Sequence, residues 1–152
     1  MNHKKMTLKE LYNAYDLSEN QNRKWLVKIS RYWLEKSKDE EINKIVIKTL
    51  EVVERYIKGQ STKEELQKAF FFARHHYDSY LPRGSYLSDS NSIRVASEEA
   101  IYFAAICAVC GAVGYGSFWA YAHAPYAKDY KELLLEVINE MDEFEREIRR
   151  KT

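Results

Sequence analysis

The run AIYFAAICAVCGAVGYGSFWAYAHAPYA, residues 100–127, contains no Asp, Glu, Lys or Arg. How it is read decides the fold. A stretch of more than about 18 apolar residues is long enough to span a bilayer. Ala112 and Gly116 have the small-xxx-small spacing of packed membrane helices, and a single span would occupy 100–122. Three features argue the other way. The run is built of Ala, Gly, Ser and Tyr rather than Leu and Ile. Tyr115 would stand near mid-bilayer, although Tyr favours the interface. The preceding flank is acidic, Glu98 and Glu99, and no basic cluster anchors the other end. The reading adopted is a central helix, apolar on all sides, wrapped by helices that each need an apolar partner.

Those helices are marked by their start and stop signals. Thr7 with Glu10 is a capping box that opens a helix from Leu8 to about Asp16. Ser18 with Gln21 is a second box; after it Trp25, Ile29, Tyr32 and Trp33 share one face, to about Lys36. Asp39 caps a third helix, whose stripe is Ile42, Ile45, Val46, Thr49, Val53, Tyr56 and Ile57, with Gly59 as its stop. Ser61 with Glu64 reads as the third box. Leu66, Ala69, Phe70, Ala73, His76, Tyr77 and Tyr80 follow at helical spacing until Pro82 and Gly84, and 81–91 reads as a loop. The Ala-rich fifth helix starts at Ser90 or Ser92 and is expected to reach His123. At 1.5 Å per residue it would be about 48 Å long against about 28 Å for the third. It therefore projects or bends, and Gly111, Gly114 and Gly116 are the expected bend. A last helix is expected from about Pro125 to Arg149, with Leu134, Val137, Ile138, Met141, Phe144 and Ile148 inward. No period-two alternation argues for a strand. The expectation is an all-α, single-domain antiparallel bundle, residues 1–152, of five to six helices around a central Ala/Gly-rich helix.

Composition narrows the function classes. A chain of 152 residues can bury a real core. Twenty-four basic against 23 acidic residues give no basic excess of the kind that phosphate binding demands, so no nucleic-acid partner is expected. Two cysteines three apart are no disulfide framework and suit a reducing compartment. The first ten residues carry lysines without a following apolar stretch, unlike a secretory signal. A cytoplasmic location without a membrane partner is expected.

Candidate chemistry is sparse. His76 lies on the fourth helix's stripe; Arg94 and Glu98 lie early in the fifth. If the two helix ends are neighbours, His76, Arg94 and Glu98 form a small polar site for an anion or for acid–base work. The alternative is an Arg94–Glu98 ion pair, four residues apart, with His76 as a core histidine. Cys107 and Cys110 share a helical face and with two histidines would make a zinc set. Yet they stand among Ala108 and Val109, as buried thiols do. A redox pair would need a helix N-terminus, which mid-helix cysteines lack. No metal and no cofactor are expected. Tyr115, Trp119 and His123 line a conceivable ligand pocket by the bend, about 37 Å along a straight helix from Glu98 and so separate from the first site. No phosphate loop, HExxH, nucleophile elbow or diagnostic carboxylate pair occurs, so no catalytic residue is assigned. Twelve tyrosines and three tryptophans hint at a binding surface.

The junction Tyr56-Ile-Lys-Gly59-Gln-Ser-Thr-Lys-Glu-Glu-Leu66-Gln-Lys-Ala69 is a helix, a glycine, a capping box and a second helix. With the Ala100–Ala112 helix and the segment Tyr121-Ala-His123-Ala-Pro-Tyr126-Ala, it resembles a family of small, alanine-rich proteins of bacteria and phages ascribed to immunity, over about residues 45–130. The resemblance implies a helical bundle that binds and neutralises a toxin or a defence protein, and no catalytic motif. The leading expectation is thus a non-enzymatic immunity or anti-defence factor acting by occlusion. The alternative is a small-molecule or nucleotide-binding, sequestering protein, or a minimal enzyme, with its pocket among Tyr115, Trp119 and His123; a single-span membrane protein ranks third. A homodimer is expected over a monomer.

Overall fold

The computed structural model describes residues 2–80, 92–112 and 126–151; of residues 80 and 92–99 the backbone alone is described. Among these residues the chain is all-α. A 3-10 turn, His3–Lys5, precedes α1 (Leu8–Asn13), α2 (Glu19–Lys36), α3 (Glu40–Ile57), α4 (Lys63–Tyr80), α5 (Ser92–Cys110), α6 (Ala127–Glu140) and α7 (Glu143–Arg149).

The start signals work as chemistry predicts. Thr7 and Ser18 accept from the backbone N–H of Glu10 and Gln21, whose side chains return to the cap backbone, so both capping boxes are complete. Asp39 accepts from Glu41 N and Ile42 N. Each such cap stabilises its helix by about 1 kcal/mol. Gly59 takes φ +74°, Gln60 N donates to Arg55 O and Gly59 N to Tyr56 O. That pair of bonds is the Schellman closure, and it satisfies carbonyls the end of α3 would otherwise leave bare.

One box sits a residue later than expected. Thr62, not Ser61, accepts from the backbone of Glu65 at 3.1 Å, while the Ser61 hydroxyl is buried and makes no hydrogen bond. Two adjacent hydroxyl residues followed by Glu64 and Glu65 offer the same pattern in two registers. Only the path of the chain into α4 selects one.

α5 packs against α2, α3 and α4. Ala100, Ile101, Tyr102, Ala104, Ala105, Cys107, Ala108 and Val109 are all buried, so this helix is central, as its composition implies. Small alanine faces let three neighbours approach it. It is shorter than expected, however. It does not reach His123 but ends at Cys110, where Gly111 takes φ +71°. The Arg23 guanidinium of α2, itself buried, donates to Val109 O at 3.3 and 3.4 Å. It places a cation on free carbonyls at the negative end of the helix dipole. The Arg23 guanidinium also lies 5.0 Å from the Tyr56 ring centroid. The positive φ favours glycine at 111, and a Cβ there would in addition press on Arg23 Cζ at 3.0 Å. The apolar run 100–122 is therefore not one helix, and no helix among the described residues is long and apolar enough to cross a membrane.

α2 is buried almost all round: Trp25, Leu26, Val27, Ile29, Ser30 and Trp33 join Gln21, Asn22 and Arg23 in the interior. One stripe was expected, but α2 has three partners, α3, α5 and α6. Gln21 meets Met141, after α6, and Trp33 packs on Tyr126, before it, so α2 and α6 run in opposite directions.

The expected single last helix is two. Met141 is extended (ψ 144°), and Asp142 accepts from Glu145 N to start α7. Leu134, Val137, Ile138 and Met141 are buried as expected, but Phe144 and Ile148 are 74% and 59% exposed. The break turns them outward. The chain ends are joined by backbone: Asp16 N donates to Arg149 O and Lys151 N to Ala14 O, around a bridge between Tyr15 and Arg150.

Candidate functional site

α4 and α5 pack against each other, and a cleft lies between them. On α4, Phe70, Arg74 and Tyr77 recur at i, i+4, i+7; on α5, Phe103, Ile106, Cys107 and Cys110 recur at i, i+3, i+4, i+7. Both spacings keep their residues on one helical face. Together these seven side chains line a cleft of about 280 Å³. Its wall is mainly apolar, with two thiols and one guanidinium. Arg74 is mostly exposed and pairs with Asp78 at 3.6 Å, one turn further along α4. Phe71, next to Phe70 and 67% exposed, lies with its ring centroid 5.4 Å from that of Phe70.

The thiols are not tuned for reaction. Burial pushes the Cys107 thiol up to about 12. Burial also raises that of Cys110, against the opposing pull of Arg23 and Arg74. Both therefore stay protonated near neutrality, whereas redox cysteines and metal ligands need the thiolate. Among the described residues no cluster of three or more His, Cys, Asp or Glu could hold a metal ion. What the cleft offers is apolar surface with a cation at one edge.

The sequence-predicted sites fare differently. His76 is half-buried on α4, but its ring packs on Phe72 and His75, at 4.7 and 5.6 Å between centroids, and it does not line the cleft. Phe72 in turn lies beneath Lys48 of α3, 5.1 Å from the ring centroid. His76 thus packs among aromatic rings. The side chains of Arg94 and Glu98 lie outside the described residues, as do Tyr115, Trp119 and His123. Of the two proposed sites, only His76 is placed. The cleft was not foreseen, although Phe70, Tyr77, Cys107 and Cys110 had each been noted singly. Their convergence depends on how two helices lie against one another, which spacing within either helix cannot express.

Two other surface features stand out. Phe144 and Ile148, four residues apart on α7, project together from a helix otherwise made of Glu143, Glu145, Arg146, Glu147 and Arg149. A polar cleft of about 250 Å³ lies beside them, lined by His3, Tyr15, Glu143, Arg146, Glu147 and Arg150. His3 Nε2 lies 3.1 Å from Tyr15 Oη. Its pKa is held below the usual histidine value by burial and by surrounding cations, Lys131, Arg146 and Arg150 among them. Two arginines and two glutamates balance the charge of this cleft, and Arg150 binds Glu147 through both carboxylate oxygens.

Comparison with family models, with curated proteins and with solved structures returns no match.

Proposed function

We propose that the protein is a non-enzymatic binding protein whose partner is another protein, and that α7 presents the contact. The observation that carries this reading is the Phe144–Ile148 pair. Four residues apart, the two side chains cover one face of the helix. The Asp142 cap that breaks the chain after α6 points that face into water instead of the core. Single exposed apolar residues are ordinary, but an aromatic and a β-branched residue side by side on a charged helix form a compact anchor. The glutamates and arginines around it supply a polar rim, the usual anatomy of a protein interface.

The finer reading is an immunity or anti-defence factor that occludes a toxin or a defence protein in the cytoplasm. It draws on the resemblance over residues 45–130. The test is paired capture from host lysate with the wild-type chain and with the F144S/I148S variant. The expected result is one stoichiometric protein on the wild type, absent from the variant, with both melting at the same temperature. Equal capture by both chains, or capture by neither, would overturn the assignment of α7.

A further inference from the structure

We propose that the α4–α5 cleft is a binding site for a small amphipathic carboxylate, a molecule with a compact apolar body and a single negative charge. This site is independent of the α7 surface and of the protein partner assigned to it.

Three observations converge. The first is size. At about 280 Å³ the cleft is roughly twice the engineered apolar cavity that accepts benzene, and it lies just under the range of drug-sized sites. It suits a ligand of about ten non-hydrogen atoms. The second is lining. Phe70, Phe103, Ile106 and Cys107 give an apolar wall, and among the described residues no acidic side chain lines the cleft. The third is the position of charge. Among the described residues Arg74 is the one cationic group in the lining, and its partner Asp78 lies outside it at 3.6 Å, with both side chains more than half exposed. An exposed pair of this kind is worth little, so a ligand carboxylate can displace it. A planar guanidinium at the edge of an apolar slot then takes the carboxylate through two parallel hydrogen bonds while the body enters the slot. A fully apolar ligand would leave Arg74 unused, and a dianion would bring a charge that no second lining cation meets.

Octanoate, with ten non-hydrogen atoms, is the probe, and octanamide is its neutral counterpart. Binding is followed by calorimetry, with alkylation of the exposed Cys110 at the cleft as the site-specific readout. Saturable octanoate binding is expected, with at least fivefold weaker binding of octanamide. Octanoate should slow alkylation of Cys110 severalfold. Arg74→Gln should reduce octanoate affinity to that of octanamide and leave octanamide unchanged. Ile106→Phe, which occupies the slot, should weaken both. The proposal is overturned if octanoate at millimolar concentration neither binds nor protects Cys110. It is equally overturned if octanamide binds as well as octanoate, or if Arg74→Gln binds octanoate like the wild type. Because Arg74 is exposed, that variant is expected to melt with the wild type, which separates loss of binding from loss of fold.

Discussion

The α2–α6 seam and the α4–α5 cleft are both aromatic contacts between neighbouring helices, and they are built to different standards. In the seam the polar tips of Trp25, Tyr32, Trp33 and Tyr130 all have partners. Trp25 Nε1 donates to Tyr130 O at 3.0 Å, Trp33 Nε1 donates to the Tyr130 hydroxyl, and the Tyr32 hydroxyl donates to Asp129 at 2.7 Å. The rings mesh edge to face, Tyr32 on Tyr130 at 6.2 Å and Trp33 on Tyr126 at 4.7 Å. Such pairs add to plain area burial. In the cleft, Phe70 and Phe103 border a space instead of filling it. Aromatic content alone does not close an interface. In the seam, hydrogen bonds from the rings' polar atoms add directional restraints to the packing.

The contrast can be broken most directly at Trp25, which is fully buried and hydrogen-bonded across the seam. Trp25→Ala is expected to cost about 3–5 kcal/mol, since a large buried ring is removed and the cavity only partly collapses. Urea denaturation measures it, and a loss below about 1 kcal/mol would show the seam to be no tighter than the cleft.

The same exchange made on both sides sharpens the comparison. Ile138→Phe on α6, where the side chain is fully buried, is expected to cost about 1–3 kcal/mol through overpacking. Ile106→Phe faces open space and is expected to stay within about 1 kcal/mol of the wild type. Equal losses would mean that the cleft has no room for a ring.

The smallest effect concerns alkaline pH. The Cys107 thiol is raised from 9.0 to about 12 by burial. The folded state holds its proton where the unfolded chain releases it. Its contribution is therefore complete below pH 9 and is lost as pH rises from there towards 12, at roughly 1 kcal/mol per pH unit. Tyr32 and Tyr130 in the seam are raised in the same sense, from a starting point one unit higher. Burial raises the Cys110 thiol from the same starting point, so Cys107→Ala should make the loss of stability above pH 9 shallower without moving its onset. Melting curves at pH 8, 9.5 and 10.5 would show it, and identical profiles for the two chains would refute the burial of this thiol.

Much of the architecture was legible because caps are local. Thr7 with Glu10, Ser18 with Gln21, Asp39 and Gly59 each act within a few residues of chain, and each acts as read. The errors share a different origin. Met141, Phe144 and Ile148 continue the apolar period of α6, and that period outweighed the Asp142–Glu145 cap hidden inside it. The break at Gly111 falls where a glycine was expected to interrupt the helix, but the contact that holds it, from Arg23 far away in sequence, could not be read locally, and Gly114 and Gly116 lie outside the described residues. The cleft needs two helices to exist at all. His76 packs on Phe72 and His75, and the side chains of Arg94 and Glu98, its expected partners, lie outside the described residues.

Arg23 also carries an implication for the order in which the structure forms. Its bond to Val109 closes a separation of 86 residues. The terminus of the central helix is thus specified by a residue near the start of the chain. In isolation, the apolar segment has a glycine at which to stop but no cation to hold the stop in place. Docking of α2 supplies it. The stop of α5 is accordingly a late, long-range event in folding, formed after loop-closure entropy has been overcome. Removing the guanidinium should then speed unfolding more than it slows folding.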